Sequence, residues 1–369
     1  MDEISNKELK KLEQFARKCM RVRSYFYLGT RSLTATNYAQ EKEKFFSSKN
    51  YNPHFKYNHE KLHGLDREID KLREELENID IPHDFRLYLE HYLNDTENCE
   101  KAVRAIGTEE FPSVAENIFN LNSPKIQKYL NLSPEVTIIE EEKTKLHTAE
   151  EIAEIFRQVL KEKYNIEHYE VKIDHFNDHT VRVGAKKVIL GEKIKRFRKS
   201  IDRLIVHEIE SHVLQRINIE KSPILTLTPL GERTLYGEGL AVFNEVTNEK
   251  ITLKMYKLYS LRLKAVRLLD RSFREIYEEL TGGVPNNIAY QITYRVKRGL
   301  HDTSLPGGYP KDAFYLLGYM VVDDYVKNKG KVEDLYLART PEMLEFVSKY
   351  NIPTTESLTL PHFLRQDHE

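Results

Sequence analysis

The sequence predicts an α+β protein, mainly helical, in which a helical N-terminal region precedes a part that carries a small sheet. Three observations support this. KELKKLEQFARKCM and LHGLDREIDKLREELENI place apolar residues at spacings of three and four among lysines and glutamates, the stripe of surface helices. Between 169 and 191 the chain changes to short runs rich in β-branched residues. From 238 to 350 it reads as mainly helical again, broken at TGGVPNN (281–287) and LPGGYP (305–310).

The chain has 369 residues, 40% of them apolar and 31% charged, enough for one large domain or two ordinary ones with a polar surface. A net charge of −1 gives no global field favouring nucleic acid or a membrane surface. No apolar run reaches the ~20 residues of a membrane span. MDEISNKELKKLEQF is charged and lacks the apolar centre of a signal peptide, so the expected location is cytoplasmic. Two cysteines, Cys19 and Cys99, are too few for a disulfide framework and read as buried thiols.

The elements follow in order. Residues 1–135 form the helical N-terminal region, interrupted at YNPHFKYN (51–58), where Pro53 and the asparagines mark a turn. Two Ser-Pro pairs in NLNSPKIQKYLNLSPEV (120–136) mark its end. HTAEEIAEIFRQVLKEKYNI (147–166) is a helix with Thr148 as N-cap and Glu151 completing a capping box. YEVKIDH, HTVRVGA and KKVILG are three short strands, expected as adjacent and largely antiparallel partners. A long helix, KIKRFRKSIDRLIVHEIESHVLQRI, comes next.

That helix carries HEIESH (207–212), two histidines five residues apart with a glutamate beside the first. Histidine nitrogens and a carboxylate suit zinc, and an adjacent carboxylate can take a proton from an activated water. Four residues on a regular helix advance about 400° and share a face, whereas five advance about 500° and leave the side chains about 140° apart. His207 and His212 could not then share a metal. Ile205, Ile209, Val213 and Ile217 supply a reason to expect an irregularity. Over twelve regular steps this row drifts by about 120°, but with one residue bulged out it returns to within about 20°. A π-type bulge near Glu210 and Ser211 would realign both sets, and such bulges gather at functional sites.

A third ligand is expected on a following helix. Glu238, in LYGEGLAVFNEV, stands 26 residues after His212, between Gly237 and Gly239, which permit close backbone approach. A first-turn glutamate favoured by the helix dipole is the competing account. Glu245, seven residues further on the same face, is either an outer partner of a histidine or a solvated glutamate. Strands, motif helix, loop and glutamate helix together match a gluzincin-type half, with His207, His212 and Glu238 as ligands of Zn2+ and Glu208 as base. Residues 136–369 would then form a zincin-like metallopeptidase domain. The His59/His63 and His175/His179 pairs lack a third ligand.

HEIESH followed by GEGLA resembles the microtubule-associated tyrosine carboxypeptidase family and its microbial relatives, known for a QEGLA motif. The resemblance extends to YNPHFKY, to VILGEKIKRFRKSIDRLIVHEIESH, and to TYRVKRGLHDTSLPGGYPKDAFYLLG (293–318). It implies zinc on His207, His212 and Glu238, Glu208 as catalytic base, and removal of a C-terminal residue, tyrosine or similar, from a protein or peptide. Gly237 departs from the motif's glutamine. A terminal carboxylate calls for Arg or Lys. Arg295, Arg298, Lys311 and Tyr315 are the candidates; helix-end charge accounts equally well for the two arginines, and Lys311 could form a helix N-terminal pair with Asp312, but the resemblance favours a functional role for Lys311 and Tyr315. Tyr315, Tyr309 or Tyr236 could serve an oxyanion. The alternative is a non-enzymatic, metal-stabilised regulatory or scaffold protein in which Glu208 is dispensable.

Overall fold

The computed structural model describes every residue except 1–3, 27, 29–31, 60, 61, 63, 141–144, 176–179, 329 and 366–369. Among the described residues, six helices precede the sheet-bearing part: α1 (Asn6–Ser24), α2 (Tyr38–Ser47), α3 (Leu65–Glu77), α4 (His83–Ala105), α5 (Phe111–Phe119) and the short α6 (Pro124–Gln127). The break between α2 and α3 contains the YNPHFKYN stretch. α7 (Ala149–Gln158) starts on the expected capping box, with the Thr148 hydroxyl and the Glu151 carboxylate each capping the other's backbone N–H. Its last turn widens into a π segment, Val159–Lys163.

Three strands follow, β1 (Glu170–Asp174), β2 (Val181–Gly184) and β3 (Lys187–Gly191), in spatial order β1-β3-β2. The expectation of largely antiparallel partners holds for β2–β3 only; β1 pairs with β3 in parallel. The two-residue Ala185-Lys186 turn, with Lys186 at φ +51°, commits β2 and β3 to a hairpin. Strand directions alternate along the chain, so β1 and β3 run the same way. β3 takes the centre, with Val188 and Leu190 fully buried, and β1 occupies its remaining edge.

Beyond the sheet, α8 (Arg198–Leu204) runs without a break into a π-helical stretch, Ile205–Val213, and on into α9 (Leu214–Ile219). The expected irregularity is therefore present and longer than a single bulge. In a π turn the residue five along stands where the residue four along would in an α turn. A polar network holds this register. The Ser211 hydroxyl donates to the Val206 carbonyl, five residues back, at 2.8 Å. The Tyr336 hydroxyl donates to the Glu210 carbonyl at 2.8 Å, and Asn244 Nδ2 donates to both Ser211 Oγ and Tyr336 at 2.8 Å. The Glu210 carboxylate accepts from Lys163 and Tyr164, each at 2.6 Å. With that register, Ile205, Ile209 and Val213 all point into the core.

The helices that remain are α10 (Leu230–Thr247), α11 (Leu253–Arg267), α12 (Phe273–Thr281), α13 (Asn286–Lys297), α14 (Phe314–Lys327), α15 (Val332–Ala338) and α16 (Pro341–Tyr350). α10 crosses both the π stretch and α14. Gly239 and Gly318 meet at the α10–α14 crossing, where a Cβ on either would collide with a backbone carbonyl of the other helix. Of the two glycines beside Glu238, then, Gly239 is required by a close approach. A Cβ on Gly237 would meet only Gln215 Oε1, at 3.9 Å. One apolar cluster runs from Ile4 to Ile352 and takes buried side chains from both halves of the chain.

Two outcomes follow for stability, each read from urea denaturation. Gly239→Ala is expected to lose about 1–3 kcal/mol by overpacking, while Gly237→Ala is neutral or gains about 0.5–1 kcal/mol from reduced chain entropy. Tyr336→Phe leaves the Glu210 carbonyl without its side-chain donor and is expected to cost about 1–3 kcal/mol.

Candidate functional site

The π register brings His207 and His212 to the same side of their helix, with ring centroids 5.0 Å apart and planes at 83°. α10 supplies Glu238 opposite them. Because α10 begins at Leu230, Glu238 lies in its third turn, so the first-turn dipole account does not apply. Glu238 Oε2 is 3.6 Å from His207 Nε2 and 3.7 Å from His212 Nε2. It is buried and has no hydrogen-bond partner. One ligand atom from each of the three residues lies within 4.8 Å of the others, and no second such group of His, Cys, Asp or Glu occurs among the described residues. Tetrahedral zinc with bonds of about 2.0–2.1 Å separates its ligand atoms by about 3.4 Å, so the three residues fit the ion. An acceptor oxygen buried beside two imidazoles calls for a cation there.

The arrangement around the histidines favours that use. Glu245 is fully buried, and its Oε1 lies 2.6 Å from His207 Nδ1. Nδ1–H donating to this carboxylate turns the Nε2 lone pair toward Glu238 and His212. Glu245 Oε1 also accepts from Arg203 Nη1 at 2.6 Å and the Tyr259 hydroxyl at 3.2 Å. Of its two readings, then, the outer partner of a histidine is the observed one. Burial works to lower the His207 pKa, but the carboxylates of Glu238 and Glu245 overcome this and raise it to about 10. Burial pushes the Glu238 carboxyl up, yet Lys311 and the two histidines hold it well below its ordinary value.

Glu208 lies on the same π stretch. Burial raises its pKa against the opposing pull of His207 and His212. Its carboxylate makes no hydrogen bond among the described residues, leaving it available to a substrate or water. Lys311 Nζ donates to Glu238 Oε1 at 2.9 Å. Tyr315 stacks on Tyr259, with centroids 5.0 Å apart, and its ring lies 6.3 Å from that of His207.

Asp312, fully buried, gathers three arginines. Arg295 grips it with two nitrogens, one at 2.8 Å, while Arg262 and Arg298 stand at 3.5 and 3.6 Å. The arginines hold the Asp312 carboxyl below its ordinary value although burial opposes them. The cluster keeps two positive charges more than its one carboxylate neutralises. Arg262 lies over the Tyr315 ring at 5.0 Å, and its Nε, the atom paired with Asp312 at 3.5 Å, has no hydrogen-bond partner. Arg298 caps the end of α13, and its side chain is 7% exposed against Tyr309 and Asp312. The side chains of Arg295 and Arg262 are more exposed, at 26% and 14%.

The sequence left Arg203, Tyr259, Arg262 and the role of Asp312 unassigned. Arg203 precedes His207 by four residues, which does place it on the same helix face. Arg262 sits in an ordinary amphipathic stretch, and nothing in its spacing points to the site. Cys19 and Cys99 are buried free thiols, as expected. His63 and His179 lie outside the described residues, and His175 pairs with Glu192 at 2.6 Å on the surface.

A family model described as microtubule-associated tyrosine carboxypeptidase matches residues 43–344 of this chain. Among curated relatives, the putative tyrosine carboxypeptidase MATCAP2 of Homo sapiens is 28% identical over 176 residues, which is 46% of this chain and 33% of that protein. Microtubule-associated tyrosine carboxypeptidase 1 of Homo sapiens is 31% identical over 129 residues, 32% of this chain and 26% of that protein. The Mus musculus protein of the same name is 24% identical over 178 residues, 45% of this chain and 36% of that protein. The chain spans about a third of the length of the curated relatives it matches. The family match takes in every residue of the site, from Arg203 to Tyr315. With most of its length so matched, this chain belongs to the microtubule-associated tyrosine carboxypeptidase family.

Proposed function

We propose that this protein is a zinc-dependent carboxypeptidase with a gluzincin-type site, removing a C-terminal residue from a protein or peptide. The observation that supports it most is Glu238 Oε2, buried without a partner between the Nε2 atoms of His207 and His212. His207, His212 and Glu238 would hold the ion. Bound there, zinc would supply Lewis acidity, polarising a scissile carbonyl and acidifying a water at neutral pH.

The chain's own groups do the rest. Glu208 accepts the proton of the attacking water and delivers it to the leaving amine. Glu245, anchored by Arg203 and Tyr259, keeps the His207 ring in one orientation through turnover. Arg262, which lies over Tyr315 and makes only a 3.5 Å ion pair with Asp312, carries unneutralised charge and takes the terminal carboxylate of the substrate, with Arg295 held beside it by Asp312. Arg298, largely enclosed, shapes that pocket through Asp312 and Tyr309. The relatives named as tyrosine carboxypeptidases make tyrosine the first terminal residue to test. No helix among the described residues is long and apolar enough to cross a membrane.

Elemental mass spectrometry is expected to find about one zinc per chain in the wild type and to find it lost in Glu238→Ala. A folded wild type that takes up no zinc would return the protein to the scaffold reading. Glu208→Gln keeps the metal and loses about 10²–10⁴-fold in turnover. Arg262→Ala raises KM about 10–100-fold for peptides with a free C-terminal carboxylate, the equivalent of about 1.5–3 kcal/mol of charged hydrogen bonding. Binding of the matching C-terminal amides, measured by inhibition, is unchanged in that variant.

A further inference from the structure

We infer that Lys311 is a positioning residue for Glu238, holding one carboxylate oxygen so that the other alone faces the two histidines. This rests on the zinc reading and assigns Lys311 to the ligand instead of to the substrate carboxylate. The two oxygens of Glu238 have unlike surroundings. Oε1 accepts from Lys311 Nζ at 2.9 Å, while Oε2 points at His207 and His212 and has no hydrogen-bond partner.

Lys311 is itself well placed for this. It sits in the 3₁₀ turn Pro310–Ala313, and its side chain is 27% exposed. Its neighbour Asp312 is taken by the arginines, so Glu238 is the only carboxylate paired with Lys311 among the described residues. The ammonium also lies 5.9 Å from the Tyr315 ring centroid, which limits where it can swing. A carboxylate without such a partner is free to rotate and offer a metal both oxygens. Holding one oxygen on a lysine restricts Glu238 to one bond and leaves a coordination position open for chemistry.

The test uses cobalt(II) in place of zinc in the full chain, because its visible absorption is strong in four-coordinate sites and weak in five-coordinate ones. The wild type is expected to show the strong, four-coordinate band. Lys311→Met is expected either to weaken that band severalfold, as Oε1 joins the metal, or to bind cobalt about 10–100-fold more weakly. Lys311→Arg, which keeps charge and donors, retains the wild-type spectrum. An unchanged spectrum and affinity in Lys311→Met, with KM raised only for free-carboxylate peptides, would overturn the inference and make Lys311 a substrate contact. X-ray absorption on the zinc-loaded wild type gives a check that needs no variant: four nitrogen or oxygen neighbours are expected, and a fifth from Glu238 would also overturn it. A wild type that binds neither metal removes the zinc reading, and this inference with it, before any variant is compared.

Discussion

The contact between the Ser211 hydroxyl and the Val206 carbonyl fixes the register on which the rest of the site depends. An α-helical path through HEIESH would turn His207 and His212 about 140° apart. Widening the helix normally leaves carbonyls without regular partners, and a buried orphan carbonyl costs free energy. Here side chains from two other helices meet that need, with Asn244 from α10 and Tyr336 from α15 joining Ser211 in one closed group. The same α10 carries Glu238 and Glu245. The helix that stabilises the irregular register therefore also supplies the groups that this register exposes, and neither would be in place without the other.

Charge is arranged in two buried layers. Toward the interior, Arg203 and Tyr259 hold Glu245, which holds His207. Toward the open side, Lys311 holds Glu238, while Arg262, Arg295 and Arg298 surround Asp312. Glu245, Glu238 and Asp312 thus each have a cation beside them, and the orphaned Oε2 of Glu238 leaves an unmet demand for positive charge between the two histidines. Breaking either layer strands a charge out of water, which is costlier than losing an exposed pair. The Gly239–Gly318 crossing keeps α10 close enough to α14 for Glu238 and Lys311 to meet.

Much of this was legible in the sequence because the signals are local. The capping box at Thr148, the breaks at 281–287 and 305–310, and the bulge at Glu210 and Ser211 all follow from spacing along one segment. The mismatch between a five-residue histidine spacing and a four-residue apolar row was itself informative, since one distortion repairs both. What escaped depends on which segments meet. The order β1-β3-β2 is set by a hairpin and a free edge, not by the composition of β1. Arg262 lies on α11, and only the fold brings it over Tyr315. Arg295 and Arg298, three apart in sequence, look equivalent until α13 ends at Lys297 and turns the second one inward.

The N-terminal region reaches the turn that follows α13 through an extended segment. Phe55 N–H donates to the His301 carbonyl at 2.9 Å, and the Thr303 hydroxyl donates to the Pro53 carbonyl at 2.7 Å. The Tyr57 hydroxyl accepts from Gly299 N–H at 2.8 Å and donates to the Leu300 carbonyl at 3.2 Å. Gly299, at φ +96°, turns the chain directly after Arg298, and the Phe111 ring fills the space where its Cβ would be. YNPHFKY and RGLHDTS, more than 240 residues apart, therefore form one structural unit at the end of α13. That unit fixes where Arg295 emerges and where the 305–310 loop starts toward Lys311. The first third of the chain thus supports the arginine cluster around Asp312 through specific backbone bonds, and shortening it would disturb the arginines before it reached His207, His212 and Glu238.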